Sequence, residues 1–336
     1  MTKLVIQIPC LNEADDLPST LAAVPRRIAG VDTIEILVID DGSSDNTEQV
    51  ARMCGVHHIV RHRTNRGLAA AFQSGIDAAL RAGADIIVNT DADGQYVGED
   101  IETIVRPVIE GRADIVIGDR GVADNAHFGQ VKRWLQRIGS VVVQRLANVE
   151  VADAVSGFRA ISREAAQRIN ITTEFSYTTD MLIQAGRKRL SILSVPIRTN
   201  ATLRPSRLFK SIPRFIVNTG VTMARAYTTY NPLRAFVGLG LILLIAGTLP
   251  ILRFLFLYLQ NNGDGHVQSL VIGGALLVLG AIVAVLGVLA DLIAANRKLI
   301  ETSLTRIHHI DDHLARIERQ VGTAAGESRP ERKQVA

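Results

Sequence analysis

The stretch DIIVNTDADGQY, Asp85 to Tyr96, decides how the chain is read. Ile86, Ile87 and Val88 form a short apolar run, rich in β-branched residues, of the kind that makes a buried strand. Two carboxylates, Asp91 and Asp93, and a carboxamide, Gln95, follow at two-residue spacing, with Gly94 relaxing the backbone between them. Two readings stay open on these residues alone. One is an ordinary polar turn after a strand, since Asp-Gly is common turn chemistry. The other is a set of three hard oxygen donors for a cation such as Mg²⁺ or Mn²⁺, whose remaining positions a diphosphate could fill.

The same grammar repeats on either side. Leu4 to Ile8 reads as a strand ended by Pro9, and Asn12 to Ile28 as a helix with Asn12 as its N-cap. Ile34 to Ile39 is a second strand, closed by the turn cluster Asp40-Asp41-Gly42-Ser43-Ser44-Asp45. Thr47 to Cys54 is helical, Ile59-Val60 a short strand, and Gly67 to Ala82 a helix of small residues able to pack close to a sheet. Asp114 to Ile117 is a further strand. Alternating strands and helices predict an α/β fold with a mainly parallel sheet. Ligands of such sheets bind beyond the carboxyl ends of the strands. Asn12-Glu13, Asp40-Asp41 and Asp91-x-Asp93 all fall there. No internal repeat is visible.

Composition changes after Pro232. The chain has 336 residues, 47% hydrophobic. Phe236 to Leu252 carries no charge, the apolar run resumes after Arg253 as far as Leu259, and Leu270 to Ala290 is again uncharged. Each run approaches the ~20 residues of a membrane-spanning helix; the alternative is a buried core hairpin. The link Gln260 to His266 has no Lys or Arg, whereas Arg225, Arg234, Arg297 and Lys298 flank the two runs. The positive-inside rule then puts both flanks, and the N-terminal domain, in the cytoplasm. The first ten residues, MTKLVIQIPC, read as a strand and not as a secretory signal. Two cysteines, Cys10 and Cys54, suit a reducing compartment. The net charge of +4 is mild, and the basic residues within 187–189 and 198–214 gather just before the first apolar run. There an anionic lipid surface is a more natural partner than nucleic acid.

Four segments, IPCLNEADDL (8–17), ILVIDDGSSDNT (36–47), NRGLAAAFQSGIDAALRAGADIIVNTDADGQY (65–96) and DAVSGFRAISREA (153–165), resemble family-2 glycosyltransferases of the GT-A fold. In order and spacing they are similar to the polyprenyl-phosphate hexosyltransferases, the group that includes dolichol-phosphate mannose synthase. The resemblance covers about residues 3–210. It implies a Rossmann-like GT-A domain over 1–203. The residue patterns beyond predict interfacial amphipathic helices over 204–231, two transmembrane helices within 232–295 (about 233–259 and 267–293) and a cytoplasmic helical tail over 296–336 with a disordered end. The resemblance also implies transfer of one hexose, with inversion, from a GDP-mannose or UDP-glucose type donor to a polyprenyl phosphate such as undecaprenyl phosphate, in the cytoplasmic membrane. Pro9, Asn12, Glu13, Asp40 and Asp91 would then line the nucleotide site, with Asp41 near the ribose. Asp91, Asp93 and Gln95 would hold Mg²⁺ or Mn²⁺ and the donor diphosphate. Arg120 would sit near the phosphates, beside Asp119 where relatives usually have Ser. Arg137 and Ser140 would approach the acceptor phosphate, with Arg133 as a rival in that register. Asp153 would be an active-site carboxylate, though a helix cap is the plainer reading of the residue.

Arg204 to Val217 mixes basic and apolar residues as an interfacial helix does, and Arg207 is the residue expected to reach a lipid phosphate. Arg159 and Arg163 read as surface ion-pair residues. The histidines His57, His58, His62, His308, His309 and His313 read as solvated. After Asn296, apolar residues at Ile300, Leu304, Ile307, Ile310, Leu314, Ile317 and Val321 fit either a coiled coil joining protomers or a helix lying on its own domain or on the bilayer. Two rival functions remain. Gln130-Val131-Lys132-Arg133-Trp134 matches a motif of processive polysaccharide synthases, but it precedes the SGFR segment instead of following it. A membrane-tethered nucleotide-binding protein without catalysis would not need the Asp91, Asp93 and Gln95 set. A dinucleotide dehydrogenase is excluded by the lack of G-x-G-x-x-G after the first strand.

Overall fold

A computed structural model describes residues 1–121, 151–171, 177–200, 227–228, 231–260 and 267–327. The chain divides into two compact units, Met1–Ser211 with Thr305–Ala336, and Ile212–Leu304.

The first unit contains one seven-stranded sheet. Its strands are β1 (Lys3–Cys10), β2 (Thr33–Asp40), β3 (His58–Arg61), β4 (Ile86–Asn89), β5 (Ile115–Asp119), β6 (Arg159–Ser162) and β7 (Ile192–Pro196), in the order β3-β2-β1-β4-β6-β5-β7. All pairs are parallel except those of β6, which runs antiparallel to both β4 and β5. The helices of this unit are α1 (Leu17–Ala23), α2 (Thr47–Met53), α3 (Leu68–Arg81), α4 (Asp100–Ile109), α5 (Arg163–Arg168) and α6 (Tyr177–Arg187). The expected α/β fold with a mainly parallel sheet is therefore what the chain adopts.

Two-residue periodicity of the strands divides the core. Val5, Leu37, Ile39, Ile87 and Ile117 pack on one face with Phe72 and Ile76 of α3 and Met181 of α6. Leu4, Ile6, Ile8, Val38 and Val88 pack on the other with Leu17 of α1 and Ile101 and Ile104 of α4. At about 25 cal/mol per Å² of apolar surface, burial on both faces is the main stabilising contribution. It also fixes register, since a one-residue slip would turn each apolar set outward.

Several local expectations are corrected. Pro9 does not end β1, which continues to Cys10 opposite Asp40. The β1–β4 ladder stops at Gln7 opposite Asn89, so on that side the missing N–H of Pro9 leaves no ladder bond unmade. Asn12 is not an N-cap. It sits at φ 56°, and α1 starts at Leu17 behind Asp16. Its Oδ1 is already engaged by the Ser44 amide (2.8 Å) and its own amide donates to Ser43 Oγ (3.0 Å). The helix stops at Ala23 and not at Ile28, because Val24, held extended (ψ 128°), precedes Pro25.

The second unit holds α7 (Pro232–Leu259) and the membrane-length part of α8 (Val267–Glu327). Pro232–Leu259 and Val267–Arg297 are long and apolar enough to cross a bilayer, and 11% of each apolar window is buried, which a core hairpin would not show. They pack through glycine. A Cβ on Gly240 would fall 2.9 Å from the Gly280 carbonyl oxygen, and one on Gly247 would fall 2.8 Å from that of Gly273. Such close backbone approach is how helices associate where no hydrophobic driving force separates side chain from solvent.

Candidate active site

The sheet reverses its order of winding at β1. From there β2 and β3 lie to one side and β4 to the other, so the loops leaving β1, β2 and β4 open at one edge around a switch point. Because β6 runs the opposite way, the residues that precede it reach that same edge.

The loop after β1 is tied to the loop after β2. Besides the Asn12 bonds, the Glu13 amide donates to Thr47 Oγ1 (3.0 Å) and the Ala14 amide to Asp45 Oδ2 (3.2 Å). Asp40, buried, accepts from the Ser43 amide (2.9 Å), and its Oδ2 lies 3.6 Å from Arg61 Nε. Asp41 is also buried. Its Oδ1 takes His62 Nδ1 (2.6 Å) and the Arg66 amide (2.9 Å), and its Oδ2 the Gly67 amide (2.8 Å). Both oxygens thus brace the Arg66–Gly67 loop that starts α3. His62, expected in solvent, is 6% exposed and bridges Asp41 to Ser74 Oγ (2.9 Å).

The turn after β4 carries Asp91, Asp93 and Gln95. Gly94 adopts φ 68°, a conformation that a side chain disfavours. Asp93 Oδ1 accepts from the Gln95 amide (3.0 Å), closing the turn on itself while the rest of its exposed carboxylate stays outward. Asp91 lies deeper. Burial first, and then the neighbouring Asp93, push its carboxyl up to about 6; Arg120, the Tyr96 hydroxyl and Arg159 only partly oppose this. A cation at the turn would draw the group back toward ionisation.

Behind the turn lies a buried polar layer. Gln7 Nε2 donates to Asn89 Oδ1 (2.9 Å), and Asn89 Nδ2 to the Gly157 carbonyl (2.8 Å) and Tyr177 Oη (3.2 Å). The Gly157 amide donates to Tyr96 Oη (3.2 Å). Tyr177 stacks on Phe72 and Tyr96 on Phe158, with ring centroids 4.2 and 4.8 Å apart. Burial first, then the Asp91 charge, raise both phenols, so both stay protonated.

Arg120, just beyond β5, meets Asp153, just before β6, as a bidentate pair: Nε to Oδ2 at 2.6 Å and Nη2 to Oδ1 at 3.1 Å. Burial lowers the guanidinium, but the Asp153 carboxylate outweighs that and keeps it charged. Asp153 caps no helix among the described residues. Asp119 spends Oδ1 on the Gly121 amide (2.9 Å). Arg159, expected at the surface, is fully buried and donates to the carbonyls of Ser156 (2.8 Å), Thr178 (2.9 Å) and Ala154 (2.9 Å). Arg163 is part-buried against the Ala84 carbonyl.

The structure thus gathers Asn12, Glu13, Asp40, Asp91, Asp93, Gln95, Arg120 and Asp153 at one edge of the sheet. Arg137, Ser140 and Arg207, with Arg133 and the Gln130–Trp134 motif, lie outside the described residues. Sequence reasoning missed Gln7, His62 and Tyr177. Of these only Gln7, a polar residue inside an apolar strand, carried a local signal. Among the described residues no third His, Cys, Asp or Glu joins Asp91 and Asp93 as a possible ligand. Two carboxylates and an amide are too few for an all-protein cage, and they suit a cation completed by substrate phosphates.

Residues 5–169 match the family model for glycosyl transferase family 2. The chain is 31% identical over 212 residues to polyprenol monophosphomannose synthase of Mycolicibacterium smegmatis, spanning 58% of this chain and 76% of that one. It is 28% identical over 187 residues to UDP-N-acetylglucosamine–dolichyl-phosphate N-acetylglucosaminyltransferase of Methanococcus voltae, spanning 49% and 74%. Glucosyl-3-phosphoglycerate synthase from Mycobacterium tuberculosis, solved with Mn²⁺, UDP and glucosyl-3-phosphoglycerate, has a TM-score of 0.51 and 21% identity over 66% of this chain and 80% of that chain, a likeness of fold. Taken with the reversed β6 strand and the acidic turn at the carboxyl edge of the sheet, these matches leave one placement: the chain belongs to glycosyl transferase family 2.

Proposed function

We propose that this glycosyltransferase moves a single hexose from a nucleoside-diphosphate donor to a polyprenyl phosphate at the cytoplasmic face of a membrane, with inversion at the anomeric carbon. The observation that carries the reading is the pairing of an acidic turn (Asp91, Asp93, Gln95) with a charged guanidinium (Arg120) at one sheet edge, in a chain with two membrane-length helices. The acceptor class comes from the relatives in Mycolicibacterium and Methanococcus, whose names specify polyprenol and dolichyl phosphates. Those two differ in sugar, and no residue named above selects between donors.

In this reading Asp40, Pro9, Asn12 and Glu13 border the nucleoside, with Asp41 near the ribose. A divalent cation, Mg²⁺ or Mn²⁺, would be held by Asp91, Asp93 and Gln95 and would supply Lewis-acid neutralisation of charge on the departing diphosphate. The lipid phosphate is already ionised near pH 7, so no base is required. Its oxygen attacks the anomeric carbon as the bond to the diphosphate breaks, and the electron pair leaves with the nucleoside diphosphate. What the protein must do is hold two anions together and in line. Arg120 offers the positive charge. Asp153, with both oxygens on Arg120, is a positioning residue that aims the guanidinium. Arg137, Ser140 and Arg207 are assigned to the acceptor phosphate on the resemblance alone.

Purified protein incubated with undecaprenyl phosphate, Mn²⁺ or Mg²⁺ and a panel of nucleotide sugars should form one monoglycosylated lipid, abolished by EDTA and lowered at least 100-fold by Asp93→Asn. A ladder of sugar polymer, or full activity in Asp93→Asn, would overturn the reading.

A further inference from the structure

The turn that presents Asp93 and Gln95 is anchored at both ends by Ala92 and Tyr96, buried in the core. Behind it lies a cavity of about 160 Å³ whose lining includes Thr20, Ala23, Thr90, Gly94, Tyr96 and Asn200. Between these anchors the turn borders that cavity, and hydrogen bonds tie it to its neighbours. Thr20 Oγ1 fastens its start by donating to the Ala92 carbonyl (2.9 Å), and Asp93 closes its middle through the Gln95 amide. Its far side is held by one short stretch, Arg198 to Asn200, that arrives from β7. There the Asn200 amide donates to the Gln95 carbonyl (2.8 Å), and Asn200 Nδ2 donates to the Gly94 carbonyl (2.9 Å). Thr199 pairs with Tyr96 as an isolated antiparallel bridge. Arg198 anchors the stretch on Asp100, main chain to Oδ2 at 2.6 Å and Nη2 to Oδ1 at 2.7 Å.

Among the described residues, Asn200 is the one whose side chain hydrogen-bonds Gly94, the residue whose left-handed conformation sets the angle between Asp93 and Gln95. We infer that Asn200 is a positioning residue for the cation and donor-diphosphate site, holding the turn in the shape that aims the two side-chain oxygens together. The inference rests on the metal-dependent reading above. It goes beyond that reading by assigning control of cation affinity to a residue 106 positions away in sequence. A side-chain hydrogen bond of this kind changes an equilibrium by roughly three- to tenfold.

The test uses the full-length detergent-solubilised protein. Mn²⁺ binding is followed by the loss of the free-ion electron paramagnetic resonance signal, with Mn²⁺ alone and with GDP or UDP added. Asn200→Ala should weaken Mn²⁺ binding roughly three- to tenfold at an unchanged melting temperature without metal, and Asn200→Gln should recover part of the loss. If Asn200→Ala fails to fold, Asn200→Gln is read alone and must still bind Mn²⁺ more weakly than the parent chain. Equal Mn²⁺ affinity in the folded variants overturns the inference while leaving the metal site intact. No Mn²⁺ binding by the parent chain, with either nucleotide, instead overturns the metal-dependent reading and the inference with it.

Discussion

At Gly157 a Cβ would fall 3.0 Å from Asp91 Oδ2 and 3.0 Å from Tyr177 Oη. A side chain there would crowd Asp91 and Tyr177, and the Gly157 carbonyl accepts from Asn89. Gly157→Ala should cost about 1–2 kcal/mol of stability as the neighbours shift. It should cost more in rate, at least tenfold in glycolipid formation, because small misplacements of reacting groups are expensive. Initial rates and thermal melts on one preparation separate the two, and an unchanged rate would remove Asp91 from the site. Residues were legible where their chemistry sat in one local string, as with Asp91-x-Asp93-x-Gln95. Arg159 was misread because a charged side chain is expected in water. The carbonyls that satisfy it belong to Ala154, Ser156 and Thr178, and no local pattern announces that they converge. His62 and Asn200 were missed for the same reason, since their partners are 12 to 106 residues away in sequence.

Among the elements, strands with continuous apolar runs were readable and β6 and β7 were not. Arg159–Ser162 is four residues with one charge, and its identity as a central strand comes only from pairing on both sides. β2 shows a titratable clasp across three strands. Glu35 takes Lys3 Nζ from β1 and His58 Nε2 from β3, both at 2.7 Å. Burial raises its carboxyl, but the hydrogen bonds and charges of Lys3 and His58 lower it further, so the net shift is downward. A group depressed in the folded state stabilises above its unfolded value, near 4.5, and loses that contribution as pH falls through the folded value. Glu35→Gln should therefore lower stability by about 0.5–1 kcal/mol at neutral pH. The gap between variant and parent should close in strongly acid solution. Denaturant melts at pH 7 and pH 3 measure this, and a gap that widens toward acid would contradict the clasp.

At the scale of the whole molecule, each of the two units has its own device for close packing. In the helical unit it is the glycine contact between α7 and α8, and Gly247→Leu would place a branched side chain where the Gly273 carbonyl lies 2.8 Å from a bare Cβ. The variant should separate the hairpin and lower the amount of intact protein recovered from membranes several-fold, while soluble contacts such as Arg120–Asp153 are untouched. Recovery equal to the parent would show that the helices are held by something else. In the sheet unit the reversal of β6 has a consequence for how the chain can vary. β5 ends at Asp119 and β6 begins at Arg159, side by side, with Gly118 bonded to Phe158 (2.9 Å) and Arg120 paired to Asp153. The two ends of the intervening segment are therefore held together by contacts made outside it. Its ends are already together, so doubling its length costs only about 0.6 kcal/mol of closure entropy. The residues expected to meet the acceptor lie inside it, at Arg137 and Ser140. An insertion or deletion between β5 and β6 can thus be absorbed while the register of the strands on either side stays fixed.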